Sequence, residues 1–370
     1  MGVIHRFAGT SFLGPLTERE IMKSVVTRTL TAVAGISLAT VGVISPAMAA
    51  SPDAGLFGSM DPTYDGVFRQ SVSILALAPL NKVPAQSVAW LKSQQCVDGA
   101  YEAYRKSIRT ACAAPDAAKF SGPDSNSTAL AAMALRTVKE NAAADKAVAA
   151  LIAHQNKDGG WGYTLGSPSD VNSTGLSLAA LNGTSRTSAV KTAGNRARGY
   201  LAAVQVPCTG SGTFGLPYQV NGPADLLASG QALLGLAGTV PFTKPTSFGT
   251  VNTTNCKSSS VNKVATYLSQ ALIATRGALP SSMDPKQTDW NATTNAVLAL
   301  SSAKLAKPAI DAGVVALQKN VDTYTGSADK FKAAADGGLI LVAQATGLNP
   351  AAFGPNKTNL VTQLLNSVTK

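Results

Sequence analysis

Charge is what this chain has least of. Only 14% of its 370 residues are charged, 6% are aromatic, and two are histidines. Four cysteines are present, with no Cys-x-x-Cys pair. Beyond the N-terminal region no hydrophobic run reaches the ~20 residues that a membrane helix needs. Each shortage excludes something. One histidine, His154, lies beyond residue 49, which argues against a His-rich metal site and against a Ser-His-Asp triad. No Gly-x-Ser-x-Gly elbow, phosphate-binding loop or His-Glu-x-x-His occurs. The sequence therefore nominates no catalytic residue, no metal and no cofactor.

The N-terminus reads as an export signal. Lys23 and Arg28 precede an apolar run from Leu30 to Ile44, and Pro46-Ala47-Met48-Ala49-Ala50 offers an Ala-x-Ala cleavage site after Ala49. Residues 1–49 are expected to be a signal peptide, with Met22 a second candidate start, and the product to be secreted. A retained N-terminal anchor is the rival. Residues 50–64 read as a linker and 65–370 as the folded domain. Of the net charge of +11, residues 1–49 contribute Arg6, Arg19, Lys23 and Arg28 against Glu18 and Glu20, a net of +2, leaving +9. The basic residues are scattered. Weak attraction to an anionic cell-envelope polymer fits them, and nucleic-acid binding does not.

Export makes disulfides expected. Four cysteines allow three pairings. Cys96–Cys112 and Cys208–Cys256 are favoured because each closes a loop within or between neighbouring units; a zinc site is the weaker rival.

What the chain has in plenty is Ala, Gly, Ser, Thr and Leu, arranged as about twelve helical segments. They are of two kinds. One begins after Asp-x-Asn-Ser/Ala-Thr, at Asp124, Asp170 and Asp289, and is small and apolar nearly all round. The other carries more Lys, Arg and Gln. A helix apolar on every side is buried and a one-sided one meets solvent, so the first kind is expected inside and the second outside. Pairs repeating every ~40–60 residues imply stacked hairpins on a shared core. The fold class is all-α: about six hairpins in an α/α toroid, with an open helical solenoid as the alternative.

Asp, Asn, Ser and Thr at a helix start cap free N–H groups, and Asp also suits the positive end of the helix dipole. If the inner helices run parallel in a ring, Asp124, Asp170 and Asp289 gather at one mouth, with Asp65, Asp225 and Asp329 as further members. The loops leading into them carry Tyr101, Tyr104, Trp161, Tyr163, Phe214, Tyr218, Trp290 and Tyr324. Aromatic faces beside polar groups suit a sugar, an amphiphile or an organic cation. The plainer reading is that such rings, Trp161 above all, plug gaps between hairpins.

The stretch Gln155-Asn156-Lys157-Asp158-Gly159-Gly160-Trp161-Gly162 resembles the Gln-Trp repeat of triterpene cyclases. The wider unit, 155–181, is similar to repeats of the terpenoid cyclase and protein prenyltransferase superfamily. Gln95 with Asp98-Gly99, and Gln318 with Tyr324, look like degenerate copies. The resemblance implies an α/α toroid in which the glutamine caps a helix end beside the tryptophan. It does not bring the family's chemistry: no Asp-x-Asp-Asp acid motif occurs, nor the Asp/Cys/His zinc set. Two functions follow as expectations. One is a non-catalytic envelope protein binding a glycan, lipid, isoprenoid or other small ligand at the mouth, through Asp124, Asp170, Asp289, Trp161, Tyr163, Phe214, Tyr218 and Trp290. The other is a divergent cyclase-like or glycan-active enzyme.

Overall fold

The computed structural model describes residues 53–207, 214–238, 242–251, 258–327 and 330–370. The expected signal peptide lies outside them, as do Cys208, Cys256 and Asp329. Thirteen α-helices are present among the described residues, with isolated bridges but no strands.

Six helices form an inner ring: α1 (Gly66–Leu77), α3 (Ser125–Thr137), α5 (Val171–Asn182), α7 (Leu226–Ala237), α9 (Trp290–Ala303) and α12 (Ala333–Thr346). Each packs on the next, and α12 packs on α1, so the ring closes. Between them the chain returns along outer helices α2 (Ala85–Ser93), α4 (Asn141–Ala153), α6 (Ser188–Ala203), α8 (Ser260–Ala274), α10 (Lys307–Lys319) and α13 (Leu360–Asn366). A short α11 (Val321–Thr325) lies where a loop was expected. The fold is an α/α toroid of six hairpins, as the repeat pattern and the resemblance imply; the open solenoid is excluded by the α12–α1 contact.

Composition explains the ring's tightness. Inner helices are buried almost all round: in α5 every residue from Ser173 to Leu181 is buried. Their small residues let backbones touch. A Cβ on Gly175 of α5 would lie 2.6 Å from the Cα of Ala232 on α7. Outer helices bury one stripe; α6 hides Val190, Ala193, Gly194, Ala197, Tyr200 and Leu201, at helical spacing.

The closing seam joins the two ends of the domain. Gln344 Nε2 on α12 donates to the Ala76 carbonyl on α1 at 2.8 Å. The Gly55 N–H donates to the Thr369 carbonyl and the Thr369 N–H to the Leu56 carbonyl, both at 2.8 Å. The segment expected as a linker is thus built into the ring from Asp53 onward, with Leu56 and Phe57 buried. Closure leaves no terminal repeat needing a polar cap.

Asp225 caps α7 by accepting from the Ala228 N–H at 2.7 Å. The last inner helix begins at Ala333, after a Lys332 that makes no side-chain cap.

Candidate functional site

Four inner helices start by one rule. Asp124, Asp170, Asp225 and Asp289 each accept the N–H three residues on, at 2.6, 2.7, 2.7 and 2.8 Å. Four residues after each aspartate stands a hydroxyl: Thr128, Thr174, Ser229 and Thr293. Each accepts a backbone N–H from the preceding loop, at Tyr101, Trp161, Leu216 and Leu279 respectively, at 2.9–3.1 Å. The aspartate N–H then donates back to the carbonyl of that same loop residue. Asp and Thr together therefore fasten one loop to one inner helix.

The glutamines fasten the other end of each loop. Gln155 Nε2 donates to the Gly159 and Ala193 carbonyls at 2.8 and 2.9 Å. Gln95 does the same with Gly99 and Ala143, at 3.0 and 2.9 Å. Gly159 has φ +96°, and a Cβ there would lie 2.5 Å from the Arg196 carbonyl oxygen of the next outer helix. The turn needs glycine on both counts.

Neighbouring sectors overlap. The Tyr163 carbonyl accepts from the Ser125 N–H at 2.9 Å, and the Tyr218 carbonyl from the Val171 N–H at 3.3 Å. Each loop thus covers the N-terminus of the preceding inner helix, which brings successive N-termini together on one face. Tyr163 stands over the Asp124 sector and Tyr218 over the Asp170 sector. Phe120 meets Tyr163 at a ring-centroid distance of 6.4 Å. In the α9 sector Tyr324 donates its hydroxyl to Asn291 Oδ1 at 2.9 Å and accepts from Thr294 at 3.3 Å.

Burial divides the expected site residues. Trp161 and Phe214 are enclosed, and the Trp161 indole donates to the Leu151 carbonyl at 2.7 Å. Tyr101 is enclosed as well. Tyr163, Trp290 and Asp289 are half-buried, and Tyr218 is exposed. Asp124 and Asp170 are buried at 2% and 3% exposure. Desolvation pushes the Asp124 carboxyl up to about 7 against the pull of Ser127, and Asp170 up to about 6. Asp289 is shifted upward for the same reason. Burial, then the charge of Asp124, raises the Tyr163 phenol.

Of the exposed apolar side chains on these loops, the sequence reading singled out Tyr218 alone. Ten large apolar side chains are exposed among the described residues. Seven of them, Tyr64, Val97, Ile108, Phe120, Tyr218, Val220 and Met283, sit in the loops leading into inner helices. Exposure is not legible in composition, so only the ring closure reveals that they share a face.

A second feature went unmarked. Asp336 occupies the slot that Thr or Ser fills in the regular sectors, four residues after Lys332. It is wholly buried, neither oxygen has a hydrogen-bond partner, and desolvation lifts it far above the ordinary carboxylate range. Aligning α12 from its first residue would have shown the substitution.

The expected Cys96–Cys112 disulfide is present, with Cα atoms 5.7 Å apart. The two sulfurs and a Glu102 oxygen lie within 4.8 Å of one another. Both sulfurs are bonded to each other, so they offer no thiolate to a metal. No described helix is long and apolar enough to cross a membrane.

No protein-family model matches the chain, and no curated protein does. Solved structures do match. An α-amylase from Clostridium perfringens is 8% identical with a TM-score of 0.51, over 75% of this chain and 86% of that one. A protein from Actinoplanes is 13% identical with a TM-score of 0.50, over 80% and 95%. The type II terpene cyclase MstE from Scytonema is 13% identical with a TM-score of 0.47, over 80% and 92%. These identities speak to fold alone: the chain is an α/α toroid, and its function must be argued from its own residues.

Proposed function

We propose that this chain is an exported, non-catalytic α/α-toroid protein that binds an amphipathic ligand of the lipid or isoprenoid class on the mouth face. The carrying observation is the gathering of seven of the ten exposed large apolar side chains on the loops of that face. Four of them are aliphatic or thioether groups, which suit a hydrocarbon better than a sugar ring. The polar groups within reach on that face are Tyr163, Tyr218 and Asp289, while Asp124 and Asp170 lie buried beneath it as helix caps.

The test uses residues 50–370 and detergent-solubilised farnesol and geranylgeraniol, with a matched oligosaccharide as the other arm. Thermal shift and native mass spectrometry should show saturable isoprenoid binding. Phe120→Ser with Tyr218→Ser should remove it without lowering the melting temperature, since both side chains are exposed. Wild-type protein that binds neither alcohol, or a double variant that binds as well as wild type, would end the proposal. The envelope-polymer interaction would be a separate, salt-sensitive property of the +9 net charge.

Asp336 favours a second reading, a divergent cyclase-like enzyme. A buried carboxyl held neutral is a proton donor for an alkene or a leaving group. Under this reading, product formed from an isoprenoid substrate should disappear in Asp336→Asn; no turnover in wild type, or unchanged turnover in the variant, removes it.

A further inference from the structure

Charge is unevenly shared around the ring. Residues 50–170 hold eleven Lys and Arg against eleven Asp and Glu, and residues 284–370 hold eight against six. The stretch between them, 171–283, holds eight against one, Asp225, so it carries +7 of the +9. That one carboxylate is occupied as the cap of α7. The helices α5 and α7 of this stretch are its buried inner pair, so the charge stands on the outer helices α6 and α8 and on the loops.

Three observations set α6 apart. The first is the absence of ion pairs. The five among the described residues are made by Arg69, Lys92, Lys119, Arg136 and Lys307, all outside 171–283. The second is placement on the helix dipole. Arg186 stands just before the Thr187 cap of α6, and Lys191 lies in its first turn, with no acidic residue there to offset them. That is the positive end of the helix, where cations are disfavoured, so α6 gains no stability from them. Lys263 repeats the arrangement in α8. The third is crowding. Burial, and then the nearby charge of Arg186, holds the Arg198 guanidinium below its usual range. Arg198 donates to neutral oxygens, Asn182 Oδ1 at 2.9 Å and the Gly194 carbonyl at 3.4 Å.

These cations form a row. The sixteen residues of α6 span about 24 Å. Lys191, Thr192, Asn195 and Arg196 are exposed on it. Arg196 Nη2 donates to the Asn156 and Lys157 carbonyls at 2.7 and 3.2 Å, which brings the exposed Lys157 to the end of the row. Asp158, beside it, turns its carboxyl to the Gly160 N–H and the Ser169 hydroxyl, at 3.0 and 2.8 Å. No exposed large apolar side chain lies on α6. A bilayer or a protein partner would call for apolar anchors. A long anionic chain needs only cations at intervals, and arginine forks suit its phosphate or carboxylate groups.

We propose that the outer wall at α6 is a docking surface for a linear polyanion of the cell envelope, held by Lys157, Arg186, Lys191, Arg196 and Arg198. Its setting in the envelope rests on the export reading of the N-terminus. The surface itself is independent of the mouth.

The test compares two variants of residues 50–370 that lose equal charge. Lys157→Gln, Arg186→Gln and Lys191→Gln remove three cations from the row. Lys82→Gln, Lys319→Gln and Lys357→Gln remove three from elsewhere. All six side chains are exposed, so both variants should melt as wild type does. Biolayer interferometry uses immobilised polyphosphate and polygalacturonate, with mixed-sequence duplex DNA as a third arm. Wild type should bind at least one of the two polymers saturably, and less tightly as salt rises. The row variant should bind about tenfold more weakly, and the control less than about twofold. Polyphosphate alone binding assigns a phosphate polymer, and polygalacturonate alone a carboxylate polymer. Wild type that binds neither, or DNA bound more tightly than both, overturns the proposal. So do equal losses in the two variants, which would make the attraction a property of net charge and leave the mouth reading untouched.

Discussion

Four of the six inner helices begin alike and two do not. At α3, α5, α7 and α9 an aspartate caps the helix and a hydroxyl four residues later pins the incoming loop. At the seam, α12 has Lys332 and Asp336 in those positions, and α1 has Asp65 and Arg69. Asp65 makes no side-chain cap and instead lies 3.6 Å from Arg69 Nε. Arg69 turns to the Met60 carbonyl at 2.6 Å. The regular sectors each hold their own loop, whereas the seam is held by chain ends that reach across it. Uniform small-residue packing closes the ring; the polar fastening differs where the ends meet. Local fastening and long-range fastening should therefore fail differently.

The strongest test is to remove the ring at the centre of a regular sector. Trp161→Ala should cost roughly 4 kcal/mol, since it opens a cavity the size of an indole and deletes the bond to Leu151. Urea titration should show this loss, while Trp290→Ala, whose side chain is half-buried, should cost less than half as much. Equal losses would break the distinction between an enclosed and a rim position.

Next in size is the disulfide, which staples the longest loop of the regular sectors. Cys96→Ala with Cys112→Ala should lower stability by about 3 kcal/mol, the entropic value for a loop of ~15 residues. Reductant should shift wild type by that much more than it shifts the variant, whose Cys208 and Cys256 remain.

Buried carboxylates separate the sectors by pH. Asp124 takes its proton at about 7 in the folded chain, against an ordinary 3.8. Between those values the folded chain holds a proton that the unfolded chain has released. Its stabilising contribution is complete below about pH 3.8 and is lost as pH rises through about 7. Asp170 acts in the same direction up to about pH 6. Asp124→Asn keeps a capping oxygen and removes the titration. Its stability should decline about 2 kcal/mol less than wild type between pH 4.5 and 7.5.

The regular sectors were legible in sequence because their grammar is local. Asp170-Val171-Asn172-Ser173-Thr174 states a cap and a pin within five residues, and Gln155 to Trp161 states the turn. The buried inner helices were legible from all-round small apolar composition. The seam was not. Leu56 and Phe57 read as linker because their partners, Ser367 to Thr369, lie more than three hundred residues away. Asp336 went unmarked because its burial depends on α1 arriving from the other end of the chain. The mouth was expected as a rim of aromatics; Tyr218 is exposed there, but Trp161, Phe214 and Tyr101 turned inward, and Val97, Ile108, Val220 and Met283 joined the exposed apolar groups. Side-chain facing in a loop follows tertiary contact, which no period in the sequence records.

The smallest expected effect is also the most direct test of the shared rule. Thr174→Val should strand the Trp161 N–H, whose acceptor among the described residues is Thr174 Oγ1 at 3.0 Å, and cost about 1.5 kcal/mol. Asp336→Thr does the reverse at the seam. It replaces a buried carboxyl that has no partner with the residue the regular sectors use, whose hydroxyl donates to the capping residue's carbonyl at 2.6, 2.7 and 3.1 Å in Thr128, Thr174 and Thr293. The equivalent acceptor is the Lys332 carbonyl. A gain of about 1 kcal/mol should follow, larger at pH 8 than at pH 5, because the aspartate's penalty grows as its proton is drawn off. A loss on Asp336→Thr would mean that the acid is fastened at the seam by contacts of its own. The sixth sector would then obey a rule distinct from the other four, rather than the same rule with one residue withdrawn.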